Sequence, residues 1–520
     1  MSFSRIYGAQ TNLLKGKVVT IETDITKNTL YAFTIVGLPD KAVDESKDRV
    51  SSALKNSNLP SPKNQNQKIV ISLSPADLKK EGPYFDLAIA LSYLLSAGEI
   101  NFDPEEKIFL GELSLNGDLQ PIKGTLPLVQ EAKKLGFKEV FLPFDNKKEA
   151  ALVEGINIYG AKNLTEIIDH INIPLKNKKD ILPEKPKIKI EEKTEIVYEE
   201  KISIIDFADI KGQEAAKRGL EIAASGGHNI AMYGPPGTGK TMLARAFSCI
   251  LPNLNKEEVL EITGIHSVVG TCEDTLVIYP PFRSPHHTAS YVSMIGGGVN
   301  PKPGEVTLAH KGVLFLDEFP EFEKRVLESL RQPLEDNIVS ISRAKGSAIF
   351  PSNFILIAAM NPCPCGNKGS KQKQCICRPS DLDRYKRKLS GPIMDRIDIW
   401  VNVGNVDYEK LSDNTKDGDS TKVIKERVLN ARKIQEKRFK NSERKIKSNS
   451  DINVKELNIY APLSEEVRKI LNQSAEKLQL SARAYHRTIK LARTIADLEG
   501  SENIKISHIL EALQYRPKEL

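Results

Sequence analysis

Residues 234–241, GPPGTGKT, hold the densest chemistry in the chain. Gly234, Pro235, Pro236, Gly237, Thr238, Gly239, Lys240 and Thr241 satisfy G-x-x-x-x-G-K-[ST] at every fixed position. The apolar run HNIAMY precedes them and predicts a strand, and the helical spacing of MLARAFSCI follows. Strand, glycine loop and helix together form the context that a phosphate-binding loop needs, because glycines let backbone N–H groups turn inward on an anion. Lys240 is expected on the β- and γ-phosphates and Thr241 on Mg²⁺. A chance turn rich in Gly and Pro does not account for that register in that context. The expected ligand is a nucleoside triphosphate, ATP or GTP.

Two further groups could do chemistry. GVLFLDEF, residues 312–319, is an apolar run ending in acids, and it follows the loop at a distance of about 75 residues. A buried parallel strand there would deliver Asp317 to the Mg²⁺ shell, with Glu318 polarising the attacking water. The bland alternative is a strand that ends in solvated acids. The second group is C-P-C-x9-C-I-C, formed by Cys363, Cys365, Cys375 and Cys377. Two thiolate pairs across a short polar loop can close a tetrahedral Zn²⁺ site, although these pairs are tighter than the commoner C-x2-C. Reduced loop thiols or a redox pair are the other readings. Eight Lys and Arg between residues 368 and 388 surround the cluster, against Asp381 and Asp383, and suit contact with DNA or with another subunit.

Placing these groups requires several domains, and 520 residues suffice for two to four. Hydrophobic residues make up 40% and charged residues 28%, the balance of a soluble globular chain. MSFSRIYGAQ shows no signal-peptide pattern and FDLAIALSYLLSAG is too short and polar to span a membrane, so a cytoplasmic protein with no membrane partner is expected. A net charge of +7 says little about partners. Between Lys422 and Lys447, eleven Lys/Arg face three Glu. That stretch reads equally as a nucleic-acid contact or as the solvated face of a helix burying Ile424, Val428, Ala431 and Ile434.

In chain order, residues 1–173 alternate strand-like runs such as KIVISL and EVFLP with helical DLAIALSYLL. Residues 174–203 are a Lys/Glu-rich linker broken by proline. A nucleotide-binding core spans 204–405, with the cysteine knuckle at 361–379. Residues 406–520 supply a connecting helix and a helical lid, with Ser481 as N-cap of one lid helix.

Resemblances extend this reading. GELSLNGDLQPIKGTLPLVQEAKKLGFKEVFLPFDNKKEA and PADLKKEGPYFDLAIAL resemble the proteolytic domain of the Lon family. Tyr84 stands where that family has its serine, and no lysine stands at Leu126 to Leu128, where its lysine should fall. A Ser-Lys dyad needs both partners, so the resemblance implies a Lon-like α+β domain without peptidase activity, serving interaction or gating. DFADIKGQ resembles the segment over the adenine in AAA+ ATPases, which favours ATP. By the same resemblance Asn361, after FILIAAM, is the polar sensor, the alternative being an ordinary turn residue before Pro362. SGPIMDRIDIW resembles the arginine-finger segment of magnesium chelatases and MCM helicases, which makes Arg396 a finger reaching a neighbouring subunit. A local pairing of Arg396 with Asp395 or Asp398 is the alternative. In the AAA+-like lid Arg483 is the sensor arginine, with Arg487 as competitor.

FRSPHHTASYVSMIGGGVNPKPGEVTLAHKGVLFLDE, the cysteine segment through DRIDIW, and SARAYHRTIKLARTIADLEG together resemble the ComM/YifB family. That resemblance implies an α/β AAA+ core with parallel sheet and helical lid. It further implies a hexameric ATPase using Mg²⁺ to drive DNA branch migration in natural transformation and recombination. A chelatase- or chaperone-type machine acting on a protein partner is the competing reading. Arg343 and Lys345, in the expected hairpin ISRAKGSAIF, are candidate DNA contacts, as is the insertion near residues 283–304. His286 and His287 in that insertion are either metal ligands or structural.

Overall fold

The computed structural model describes residues 3–173, 187–198, 205–271, 276–298, 301–343, 346–368, 373–389, 391–406 and 418–517. They divide into two compact units, 1–197 with 256–277, and 198–255 with 278–520.

Period-two alternation builds the first unit. Along Lys15–Lys27 every second residue from Val19 to Ile25 is buried, as a strand with one face on a core requires. It pairs antiparallel with Phe3–Asn12 and with Gln67–Ser74, and Ala32–Val36 joins the far edge in parallel. Helix Asp86–Ala97, apolar nearly all round, is buried over almost its whole length against these strands. A second, parallel sheet of Lys107–Phe109, Glu139–Pro143 and Asn157–Ala161 completes the α+β unit.

A carboxylate is embedded in this apolar setting. Asp86, with no exposed surface, accepts from Ser46 Oγ (2.5 Å), Arg49 Nε (2.7 Å), Arg49 Nη2 (3.0 Å) and the Leu113 N–H (3.2 Å). A buried carboxylate is tolerated only when its lone pairs are this well used.

Two segments reach this unit from outside residues 1–173. Residues 187–197, within the stretch read as a linker, lie along it: the Glu191 N–H donates to Ile158 O (2.9 Å), the Thr194 N–H to Ala151 O (3.2 Å), and Lys147 pairs with Glu191 (2.8 Å). The remaining linker residues, 174–186 and 199–203, lie outside the described residues. Helix Lys256–Val269, which follows the phosphate-loop helix in sequence, packs on helix Thr125–Lys134. There Ser267 Oγ donates to Glu149 (2.5 Å) and accepts from the Gly124 N–H (3.0 Å). Burial pushes the Glu149 carboxyl up despite these hydrogen bonds.

The second unit is ordered by a five-stranded parallel sheet, Phe282–Arg283, Val313–Leu316, Ile355–Met360, Ile230–Tyr233 and Ile399–Asn402 in spatial order. Its strands read VLFL, ILIAAM and IAMY because helices cover both faces. Helix Thr421–Phe439 packs on Glu214–Gly226 and Lys240–Ile250. Its buried seam is Ile424, Val428, Ala431, Gln435 and Phe439, and the expected Ile434 is 36% exposed. Gln435 takes the buried place because its amide is satisfied, donating to Ser225 O (2.9 Å) and accepting from the Asn449 N–H (3.1 Å). The basic run is in good part structural: Arg427 pairs with Glu221 and Asp419, Arg432 donates to Ala224 O (2.7 Å), and Arg438 pairs with Asp497. Helices Glu465–Lys477, Ala482–Leu498 and Ile506–Gln514 form the lid, and Ser481 caps the second by accepting from the Ala484 N–H (3.2 Å). Among the described residues no helix is long and apolar enough to cross a membrane.

Asp86→Asn should remove the charge while leaving Arg49 part-buried and without its counter-ion. We expect a loss of about 3 kcal/mol, the scale for breaking a buried pair, seen as a lower urea midpoint by circular dichroism.

Candidate functional site

The parallel sheet sends its carboxyl ends to one edge. Residues 234–241 follow Tyr233, Asp317 follows Leu316 and Asn361 follows Met360, on adjacent strands. Ligands of open α/β sheets sit outside this edge.

Gly237 and Gly239 have φ of +78° and +88°, the left-handed region that other residues rarely adopt. A Cβ at either would meet nothing within 4 Å, so space is left beside the curled backbone. Among the described residues, the N–H groups of Gly237, Thr238, Gly239 and Lys240 find no backbone acceptor. They open helix Lys240–Ile250. Free N–H groups, a glycine cradle and a helix N-terminus fit a polyphosphate. Lys240, 8% exposed, donates to Gly234 O (2.8 Å), Pro235 O (2.8 Å) and Asn361 Oδ1 (3.3 Å). Burial lowers its pKa and Asp317 partly restores it. Thr241 Oγ1 donates to Asp317 Oδ2 (3.0 Å), which joins a hydroxyl and a carboxylate in a donor set suited to Mg²⁺.

Glu318 adopts a left-handed backbone, φ +50°, and its N–H donates to Asp317 Oδ1 (2.9 Å). Its own carboxylate meets His287 Nδ1 at 3.0 Å, while His286 lies against His287 and meets Thr288 Oγ1 at 2.9 Å. Sequence left this histidine pair open; the fold aims one of them at the acid expected to handle water.

Asn361 is held from behind, where Tyr385 Oη donates to its carbonyl (2.9 Å). The cysteines lie just beyond. Cys363, Cys365 and Cys375 have Sγ–Sγ separations of 3.4, 3.7 and 3.6 Å, and all four sulfurs lie within 4.8 Å of one another. A tetrahedron with Zn–S bonds of about 2.3 Å has edges of about 3.8 Å, so the donor set fits that ion. Thiols crowded this closely ionise unequally. N–H groups of Asn367 and Ile376 bring Cys365 down to about 6, whereas Cys377 is pushed up to about 12 by burial and its neighbours, against an N–H of Cys365. A Cβ on Gly366 would lie 2.7 Å from Pro236 Cδ, so the knuckle abuts the phosphate loop.

The arginines gather elsewhere. Arg396, 7% exposed, donates to Pro392 O (2.7 Å) and pairs with Glu335, with neither Asp395 nor Asp398 as partner. Arg483, 59% exposed at its side chain, lies 3.5 Å from the same Glu335. Arg487 instead donates to the buried Asp398 (2.6 Å), which His228 also meets at 3.3 Å. Burial alone would raise the Asp398 carboxyl; Arg487 and His228 outweigh it and hold the carboxyl below the usual carboxylate range. A depressed folded pKa contributes stability fully above the unfolded value of about 3.9 and loses it only as pH falls through the lower folded one. Glu335, Arg396, Asp398, Arg483 and Arg487 line a cavity of about 610 Å³ that no residue of the phosphate loop lines. Arg343 ends strand Ile338–Arg343, paired with Gly346–Pro351 in the expected hairpin, and Lys345 lies outside the described residues.

Three family models match consecutive parts of the chain: "Magnesium chelatase, subunit ChlI" residues 206–411, "Subunit ChlI of Mg-chelatase" residues 21–146, and "Magnesium chelatase, subunit ChlI C-terminal" residues 418–516. The chain is 39% identical to the competence protein ComM of Haemophilus influenzae over 99% of its own length and 98% of that protein's. It belongs to the ComM/YifB family. The uncharacterised protein YifB of Escherichia coli, from the same ComM/YifB group, is 38% identical over 99% and 97% of the two chains. A shorter match, 32% identical over 98 residues, covers 19% of this chain and 18% of Lon protease 2 of Bacillus subtilis. The ComM/YifB core is a magnesium-chelatase-like AAA+ ATPase, and its expected fold class, a parallel sheet with helical lid after an α+β unit, is the one observed.

Arg487→Ala should leave the buried Asp398 without its principal charge partner, lowering stability by about 3 kcal/mol. Arg483→Ala, at an exposed side chain, should change it by less than about 0.5 kcal/mol. Thermal unfolding of the two variants compares them.

Proposed function

We propose that this chain is a subunit of a hexameric, cytoplasmic ATP-driven motor that promotes DNA branch migration in natural transformation and recombination. Residues 234–241 bind the polyphosphate of ATP, with Lys240 leaving its carbonyl partners for the β- and γ-phosphates. Thr241 and Asp317 hold Mg²⁺, which when bound supplies charge neutralisation on the phosphates. Glu318, oriented by His287, accepts a proton from the attacking water, and Asn361 aligns that water. Arg396 and Arg483 stabilise the charge that develops on the γ-phosphate of a neighbouring subunit. The observation that carries the ring reading is the convergence of both arginines on Glu335, in a cavity that no phosphate-loop residue lines. A relative named for competence, matching along nearly the whole chain, supports the DNA reading. Arg343, at the end of its hairpin strand, and Lys345 are the proposed contacts to the DNA backbone, which grip phosphates without reading bases. Cys363, Cys365, Cys375 and Cys377 hold a structural Zn²⁺ that braces the knuckle against Pro236. The first unit, with Tyr84 in place of a nucleophilic serine, serves recognition.

The magnesium-chelatase family models favour a second reading, a machine that remodels a protein partner. ATP turnover measured without DNA and with single strands, duplex or a four-way junction separates the two. The junction should stimulate turnover most, and Lys240→Ala should abolish it; indifference to every DNA would favour the protein-remodelling reading. Metal analysis should find one zinc per chain, lost together in Cys363→Ser and Cys375→Ser; zinc-free active protein would remove the metal from this scheme.

A further inference from the structure

Glu335 occupies an unusual place. It lies near the end of the short helix Arg331–Asp336, which leads through Asn337, φ +58°, into the hairpin strand Ile338–Arg343. Its carboxylate is half exposed, takes the Arg396 guanidinium and lies 3.5 Å from Arg483 Nη2. These arginines, Arg396 foremost, hold the Glu335 carboxyl below its ordinary value. The same helix grips the hairpin. Gln332 Nε2 donates to Ser340 Oγ (3.3 Å) and Gln332 Oε1 accepts from the Ser340 N–H (3.2 Å). Asn337 O accepts from the Ser352 N–H on the other side of the hairpin base (2.9 Å). One short helix therefore carries the acceptor for two arginines at one end and a clamp on the hairpin at the other. Arg396 also has a buried Nε with no hydrogen-bond partner, so its guanidinium is not saturated where it sits.

We infer that Glu335 is a positioning residue that holds Arg396 and Arg483 in their own subunit until the neighbour's γ-phosphate competes for them, and that helix Arg331–Asp336 relays the exchange to the hairpin. This rests on the reading that Arg396 acts across a subunit boundary. A phosphate and a carboxylate offer a guanidinium the same bidentate acceptor geometry. Water reaches the Glu335 carboxylate, 51% exposed, and competes for it when the arginine leaves, whereas the buried Asp398 carboxylate has no such substitute for Arg487. Linkage then works in both directions: if phosphate capture of Arg396 biases the hairpin, DNA on the hairpin biases capture of Arg396 by the same factor in binding free energy.

Mixed oligomers test this. Chains carrying Arg396→Ala keep a working phosphate loop, and chains carrying Lys240→Ala keep a working arginine, so a mixture should recover ATP turnover that neither shows alone. Adding Glu335→Gln to the Lys240→Ala chain frees the donated arginine. DNA-free turnover of the mixture should rise about fivefold, the scale of one part-exposed ion pair, and stimulation by single-stranded DNA should shrink correspondingly. Adding Glu335→Gln to the Arg396→Ala chain, where only the more distant Arg483 remains to be released, should change both values far less. A purely structural role would act equally from either chain, so equal effects, or no effect from either, would overturn the inference. If the unmodified mixture recovers no turnover, the cross-subunit reading of Arg396 fails and this inference falls with it.

Discussion

A parallel strand buried on both faces can present polar groups only where it ends. Five such strands run together in the second unit, so one edge of the sheet receives residues 234–241, Asp317 and Asn361 without any of them entering the apolar interior. The hydrogen bonds that follow, Lys240 to Asn361 and Thr241 to Asp317, are consequences of strand order. Insertion of Phe282–Arg283 and Ile399–Asn402 at the two margins keeps the chemically important strands central, where helices shield them. The knuckle and the hairpin hang from the same framework, the first after strand Ile355–Met360 and the second before it.

Charged groups in the molecule fall into two physical regimes. Asp86 with Arg49, Asp398 with Arg487, and Asp497 with Arg438 and Arg493 place a carboxylate at 8% exposure or less among several donors. Removing one partner from such a group strands a charge in a poor solvent, so these groups act as fixed clamps. Glu318 with His287 and Glu335 with Arg396 leave the carboxylate about half in water. Water competes there, the pairs are worth little, and exchange with another ligand is inexpensive. The frame uses the first kind, and the pairs at Glu318 and Glu335 are of the second.

Much of this was legible in the residue order. Apolar runs announced the core strands, Ser481 announced its helix, and the glycine loop announced itself through spacing. Periodicity misplaced one position, choosing Ile434 over Gln435, because burial of an amide depends on Ser225 and Asn449 being there to satisfy it. Helix Lys256–Val269 reads as an ordinary continuation of the nucleotide core, yet it packs on Thr125–Lys134; nothing in its amphipathicity names the partner. Arg427 and Arg438 of the basic run were likewise committed to Glu221, Asp419 and Asp497, acids that local charge counting does not see.

Sequence by itself determined what is local: a backbone that curls at Gly237 and Gly239, strands that must be buried, and four sulfurs close in the chain. These follow from φ preferences, hydropathy and tether length, which neighbours in sequence control. Tertiary structure alone decided which distant charge each arginine and histidine would meet. His287 found Glu318, Arg487 found Asp398, and Arg396 passed over the acids beside it for Glu335. Long side chains choose partners by the path of the whole fold, because desolvation and geometry at the meeting point, rather than proximity along the chain, set the energy of the pair.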